Sequence, residues 1–265
     1  MNNSDNETGF GNDPATLRAR IAKACRVVGR MGLTRGLRGH ISARIPGTER
    51  IFVRARGPAE SGVRYTPEDE VVEVDLDGKP VAGMPSGLRG PSEIFIHTET
   101  YRARPEVNAV LHMHPPTVVL FTITGKPLLP LYGAYDPHSL GLALEDIPLF
   151  DRSVLINTRE LGRELVRAIG KKRACLMRGH GITTIGESIE EAGVVALGLN
   201  ELATMNFHAH MLGEPRAISG ADITELRPAI DRLSLSSAKP GEPSASTETE
   251  WRYYCRFADE GATPE

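Results

Sequence analysis

Cysteine is scarce in this chain. The three residues, Cys25, Cys175 and Cys255, are odd in number and far apart among 265. No Cys-x-x-Cys pair occurs, so neither a disulfide framework nor a thiolate metal site is expected, and the usage fits a reducing compartment. An excess of one charge is lacking as well. The 31 Lys and Arg nearly balance the 34 Asp and Glu, giving a formal net charge of -3, which offers nucleic acid or an anionic membrane no general attraction. No apolar run approaches the length of a bilayer span. Met1–Asp13 is polar and acidic, so it is expected to be disordered and not a secretory signal. The expectation is a cytoplasmic protein with no nucleic-acid or membrane partner.

What is present reads as one domain of alternating elements. Helical spacing of Leu17, Ile21, Ala24, Val27, Val28 and Met31 predicts a helix over 14–31, ended by Gly32. Strands are expected at 40–45, 51–53, 71–76, 107–112, 128–132, 154–157, 173–177 and 181–185. Further helices are expected at 92–104 with Ser92 as cap, 117–124, 158–169 with Thr158 as cap, and about 188–212, closed by Gly213 and Pro215. The domain should span 14–235. Residues 236–249, rich in Ser, Pro, Gly and Thr, read as a linker. The segment 250–265 holds the only tryptophan, Trp251, together with Tyr253, Tyr254 and Phe257, and should pack on its own body or on a neighbouring subunit. The mixture of hairpins and helix–strand alternation predicts an α/β fold with a mixed, mainly antiparallel sheet and helices on both faces.

The chemistry centres on histidine. His112 and His114 stand at i and i+2 in Val107-Asn-Ala-Val-Leu-His-Met-His-Pro-Pro116, so they point to one side of a strand that the two prolines end. Imidazole suits zinc and similar divalent ions. His180 sits in Gly179-His-Gly181, where glycines permit a sharp turn and close approach. Glu93, in Pro91-Ser-Glu93, opens a helix where a carboxylate is favoured. Each has a plainer reading: half-buried hydrogen-bonded histidines, a tight turn, a first-turn glutamate. His97, one turn beyond Glu93, reads as a supporting residue, and His138, His208 and His210 as surface or packing residues. Arginine is concentrated in the first 104 residues. That bias reads as a solvated surface, or as one or two cations that hold an anionic substrate.

Taken in order, Gly39-His-Ile-Ser42, Pro91-Ser-Glu93, Tyr101-Arg-Ala-Arg-Pro-Glu-Val107, His112-Met-His114 and Gly179-His-Gly181 resemble the class II aldolase/adducin family over roughly residues 14–215. The resemblance implies a three-layer α/β/α domain, commonly a C4 homotetramer with active sites at subunit interfaces. It further implies that His112, His114 and His180 hold a divalent metal, usually zinc, with Glu93 as acid/base and sometimes as a fourth ligand. Manganese, iron and cobalt also suit this donor set. Adducin-like members share the fold without a working metal site, whereas this chain keeps all four residues.

The sugar-phosphate aldolases of the family typically carry Gly-Asn-x-Ser and a pair of serines before the glutamate. Here His40 replaces the asparagine, and only Ser92 precedes Glu93. A cradle short of an amide and a hydroxyl satisfies a phosphate poorly. The Gly-His-x-Ser-x-Arg form ending at Arg44, the arginine-rich front and the Trp251 segment instead resemble a branch of decarboxylases of hydroxylated aromatic or pyridine dicarboxylates. Both chemistries break a carbon–carbon bond and need a sink for the electrons left behind. On that resemblance, His40, Ser42, Arg44, Arg89 and Ser92 are candidate contacts to a small anionic substrate, and Tyr132 or Tyr135 a candidate proton donor. Alternatives are an aldolase of a non-phosphorylated hydroxy-keto acid, a dehydratase or epimerase, and a non-catalytic interaction module.

Overall fold

The computed structural model describes residues 14–81, 83–232 and 242–259. Seven strands form one sheet: β1 His40–Arg44, β2 Arg50–Arg54, β3 Val71–Asp75, β4 Ala109–Met113, β5 Leu149–Phe150, β6 Ala174–Met177 and β7 Gly181–Gly186. Their spatial order is β3-β2-β1-β4-β7-β6-β5. Every pairing is antiparallel except the short parallel pair β5–β6, so the sheet is mixed and mainly antiparallel. Eight α-helices are present among the described residues: α1 Pro14–Arg30, α2 Ile94–Ala103, α3 Pro116–Thr124, α4 Pro137–Leu144, α5 Arg159–Ile169, α6 Ile189–Leu212, α7 Gly220–Arg232 and α8 Ala245–Asp259.

Strand alternation divides the core in two. Ile41, Ala43, Leu111, Met113 and Ile182 point to one face, where α1, α6 and α8 pack together. Val53, Val110, Cys175 and Ile185 point to the other, which α2 and α5 cover with Ile96, Tyr101 and Leu165. The result is three layers, α/β/α. Residues 189–199 of α6 are buried all round, because the helix lies between the sheet and the outer helices instead of presenting one amphipathic stripe. Glycine makes one of these contacts: a Cβ at Gly193 would sit 2.4 Å from the Trp251 ring, so the indole rests directly on the α6 backbone.

Two expected strands are not strands, for a shared reason: side chains elsewhere take their backbone groups. At 128–132 the Asn206 amide bonds both the N–H and the C=O of Leu129, at 2.9 and 3.0 Å, which holds the segment extended without a sheet partner. At 154–157 the Ile156 N–H donates to Glu93. The sheet edge is instead Leu149–Phe150. Helix α4 was not expected, although Asp136 caps it through the His138 and Ser139 N–H groups and Pro137 stands in its first turn, a legible start signal. Helix α7 was also missed, and it contains Pro228. Ser92 does not cap α2; Glu93 occupies the cap position and its side chain makes no capping bond. Helix α8 begins at Ala245, inside the expected linker 236–249, with the Ser244 hydroxyl accepting from Thr247 N–H. The expectations for 1–13, 233–241 and 260–265 lie outside the described residues.

Trp251 is 5% exposed, so truncation leaves a cavity between α6 and α8. Trp251→Ala should lower unfolding free energy by about 3–5 kcal/mol, read from urea denaturation. An unchanged midpoint would mean that α8 contributes little to the fold.

Candidate metal centre

Strand register builds the centre. His40 pairs with His112 across β1–β4, and His112 with Thr183 across β4–β7, so His40, His112 and Thr183 form a row on the α2 side. One step beyond the end of β4, His114 turns into the same space, and the tight turn between β6 and β7 delivers His180. Both glycines of that turn are required. Gly179 has φ +61°, and a Cβ at Gly181 would lie 2.2 Å from the Met113 carbonyl oxygen and 3.0 Å from the His114 ring.

Glu93, His112, His114 and His180 each place one donor atom within 4.8 Å of the others. His112 Nε2 and His114 Nε2 are 2.8 Å apart. Glu93 Oε2 lies 3.8 Å from His112 Nε2 and 3.5 Å from His180 Nε2. The other carboxylate oxygen, Oε1, accepts the Ile156 N–H at 2.8 Å, which fixes the side chain and leaves Oε2 directed inward. Burial, followed by the neighbouring His40, holds His112 well below the ordinary histidine range. Burial, followed by His180, brings His114 down to about 4. Burial pushes Glu93 upward, but the His180 contact and the Ile156 N–H outweigh it and leave the carboxyl below its usual value. Neutral imidazoles and an ionised carboxylate are the forms that bind divalent cations.

The donor set fits such an ion. The His180 Nε2 is buried without a hydrogen-bond partner, and the Nε2 atoms of His112 and His114 face each other. Ligand–metal distances of about 2.0–2.2 Å for zinc with His and carboxylate put neighbouring donors at separations like those observed.

Of the candidate substrate contacts, His40 and Ser92 lie at or beside the centre. The structure does not bring Ser42 or Arg44 to it. Ser42 is fully buried, with its hydroxyl engaged by His97 and Tyr101 at 2.7 and 2.8 Å. Arg44, at the far end of β1, donates to the Tyr101 and Val107 carbonyls at 2.7 and 3.2 Å and covers the Tyr101 ring. Tyr132 and Tyr135 are also elsewhere within this chain. They meet edge to face beside α4, Tyr135 reaching Glu201 of α6 at 3.5 Å. Burial pushes the Tyr132 phenol well above its usual value.

Arg89 and Ser92 line a pocket of about 280 Å³ with Arg56, Gly57, Pro58 and Glu60. Arg56 belongs to the arginine-rich first 104 residues but was not singled out there as a substrate contact. It follows Arg54 at i+2, the same-side spacing that singled out His112 and His114, but Arg54 is fully buried on Glu60, Thr66 and the Gly39 carbonyl. Arg56 Nε bonds Glu60 Oε1 at 3.0 Å, so one carboxylate positions both guanidinium groups. Arg56 stands close enough to depress both His40 and His114, and Arg38 also acts on His114. Cationic groups thus flank the centre.

Residues 19–207 match the domain family described as Class II Aldolase and Adducin N-terminal domain. The chain belongs to the class II aldolase/adducin family. It is 39% identical over 215 residues to a 3,4-dihydroxyphthalate decarboxylase of Arthrobacter keyseri, covering 80% of this chain and 86% of that one. A second 3,4-dihydroxyphthalate decarboxylase, from a Terrabacter species, is 37% identical over 230 residues, covering 86% and 92%. The aldolase II superfamily protein of Pseudomonas syringae superposes with a TM-score of 0.77 at 22% identity, covering 93% of each chain, and so shares the fold. With decarboxylases and class II aldolases as its relatives, this chain is a lyase. No described helix is long and apolar enough to cross a membrane.

His112→Ala and His114→Ala should each lose most bound divalent metal by elemental analysis while keeping the wild-type circular dichroism spectrum. Gly181→Ala, which forces Met113 and His114 aside, should lower metal content in the same assay. Full metal occupancy in all three would sink the site.

Proposed function

We propose that this chain decarboxylates a hydroxylated aromatic dicarboxylate at a divalent-metal centre held by His112, His114 and His180, with Glu93 a ligand until substrate displaces it, zinc being the ion the donor set suits best. The observation that carries the reading is the pocket of Arg56, Arg89 and Ser92 beside that centre. Arg89 is exposed, and its guanidinium has no partner among the described residues. Guanidinium groups recognise carboxylate planes bidentately, Arg56 is held by Glu60, and two anionic groups on one ring can then engage the centre and the pocket together. The dihydroxyphthalate decarboxylase activity of the relatives points the same way.

When bound, the metal would supply positive charge where the substrate's oxygens gain electron density. The chain's residues do the remainder. Arg56 and Arg89 orient the carboxylate that stays. Glu93, ionised at rest, receives the substrate hydroxyl proton at Oε2 while Ile156 N–H holds Oε1 in place. Glu93 Oε2 then returns the proton to the ring carbon that bears the departing carboxylate, the phenolate supplying the electron pair of the new bond. The carbon–carbon bond breaks, carbon dioxide departs, and the electron pair of that bond restores the aromatic ring and the phenolate, so atoms and charge balance.

The reading includes a homotetramer whose neighbouring subunits close the centres. Leu120 and Ile123 of α3 and Met211 and Leu212 of α6 are exposed, and Ile123 borders the Gly179 turn, so apolar surface adjoins the centre. Light scattering should give the mass of four chains; a monomer at micromolar concentration would remove this part.

Mass spectrometry of products decides the reaction. Metal-loaded enzyme given dihydroxyphthalates, pyridine dicarboxylates and unphosphorylated and phosphorylated hydroxy-keto acids should release carbon dioxide from a dicarboxylate, and a chelator should abolish it. An aldehyde with a shorter keto acid would make the chain an aldolase. Glu93→Gln should keep metal but lose turnover by about 10²–10⁴-fold, the usual contribution of a proton-transfer group. Arg56→Ala should raise KM for the dicarboxylate about tenfold or more, the scale of a charge-assisted hydrogen bond.

A further inference from the structure

A hydrogen-bonded series of four side chains runs through the α2–sheet interface and ends at the centre. Tyr101 Oη lies 2.8 Å from Ser42 Oγ, Ser42 Oγ 2.7 Å from His97 Nδ1, and His97 Nε2 2.6 Å from His40 Nδ1. His40 then stands with its ring centroid 5.0 Å from that of His112. All four are at most 2% exposed. Each contact in the series has room for one hydrogen between its two atoms, so the series has a direction.

That direction follows from accounting for every hydrogen. Among the described residues, Ser42 Oγ is the one acceptor within hydrogen-bonding distance of the Tyr101 oxygen. The Tyr101 proton must go to Ser42. Ser42 then gives its own proton to His97 Nδ1, which places the His97 proton on Nε2, where it donates to His40 Nδ1. The single proton of His40 is left on Nε2. Reversing the series would strand the Tyr101 proton in a fully buried position, which costs more than any one bond in the series returns. His40 Nε2 has no partner among the described residues.

We propose that His40 donates its Nε2–H to a substrate oxygen beside the metal centre, and that Tyr101, Ser42 and His97 are positioning residues that hold His40 in this tautomer. The substrate half rests on the decarboxylase reading above; the tautomer half does not. The arrangement also replaces the expected contact between Ser42 and substrate with an indirect one. A donor at this position favours a carboxylate or phenolate oxygen and offers nothing to a group that can only donate.

The test uses metal-loaded protein labelled with ¹⁵N-histidine, with resonances assigned through single substitutions. Long-range ¹H–¹⁵N spectra should show His40 protonated on Nε2 in the wild type. Tyr101→Phe and Ser42→Ala should populate the Nδ1 form and lower kcat/KM about tenfold, the worth of one hydrogen bond, with metal content and thermal midpoint nearly unchanged. His97→Gln, which keeps an acceptor and a donor at similar spacing, should retain most activity, whereas His97→Leu should not. An Nδ1-protonated His40 in the wild type overturns the proposal, as does an Nε2 form that persists in Ser42→Ala with unaltered kcat/KM. If no dicarboxylate is turned over at all, the functional reading fails separately while the spectra still decide the tautomer.

Discussion

The register of β4 between β1 and β7 is the constraint on which the site depends. It sets His112 opposite His40 on one side and Thr183 on the other, and it assigns Leu111 and Met113 to the opposite core. A slip of one residue in either pairing would turn both strand faces over, burying imidazoles among the aliphatic side chains of α1 and α6. The hydrophobic pattern that stabilises the sheet therefore also holds the candidate metal ligands in line. The chemistry needs no separate scaffold.

Charge is arranged around that line with economy. Glu60 accepts from both Arg54 and Arg56, and Arg54 in turn holds the Gly39 carbonyl just before His40. The same buried carboxylate thus positions a cation that braces the backbone of β1 and another that faces the pocket. Removing one partner of such a group leaves the remaining charge buried and unmatched. Arg56 is thereby held in place on the pocket side although its side chain is long.

Most of the sheet was legible in the sequence, because β1, β2, β3, β4, β6 and β7 each carry a short β-rich run bounded by turn residues. The four residues that the fold gathers into one cluster were legible as types and spacings: His112 and His114 by strand alternation, His180 by its glycines, Glu93 by its place at a helix start. What could not be read were positions decided by partners distant in sequence. Leu128–Tyr132 looks like a strand, yet Asn206 claims its backbone. Val154–Asn157 looks like another, yet its N–H is needed by Glu93. Ser42 and Arg44 share a face with His40, as alternation requires, but His97 and Tyr101 of α2 reach them first. Arg56 was overlooked because nothing local separates it from the arginines around it; only the fold brings it near His114.

The support of Glu93 by Ile156 comes from the main chain. A peptide N–H is present whatever side chain the residue carries, proline excepted, so ordinary substitution at 156 alters packing without deleting the bond. The segment that looked like a misplaced strand is therefore a fixture that side-chain variation can scarcely erode. It can change only if the loop between β5 and α5 changes length or path, which ties the placement of the Glu93 carboxylate to loop geometry and leaves residue identity at 156 comparatively free.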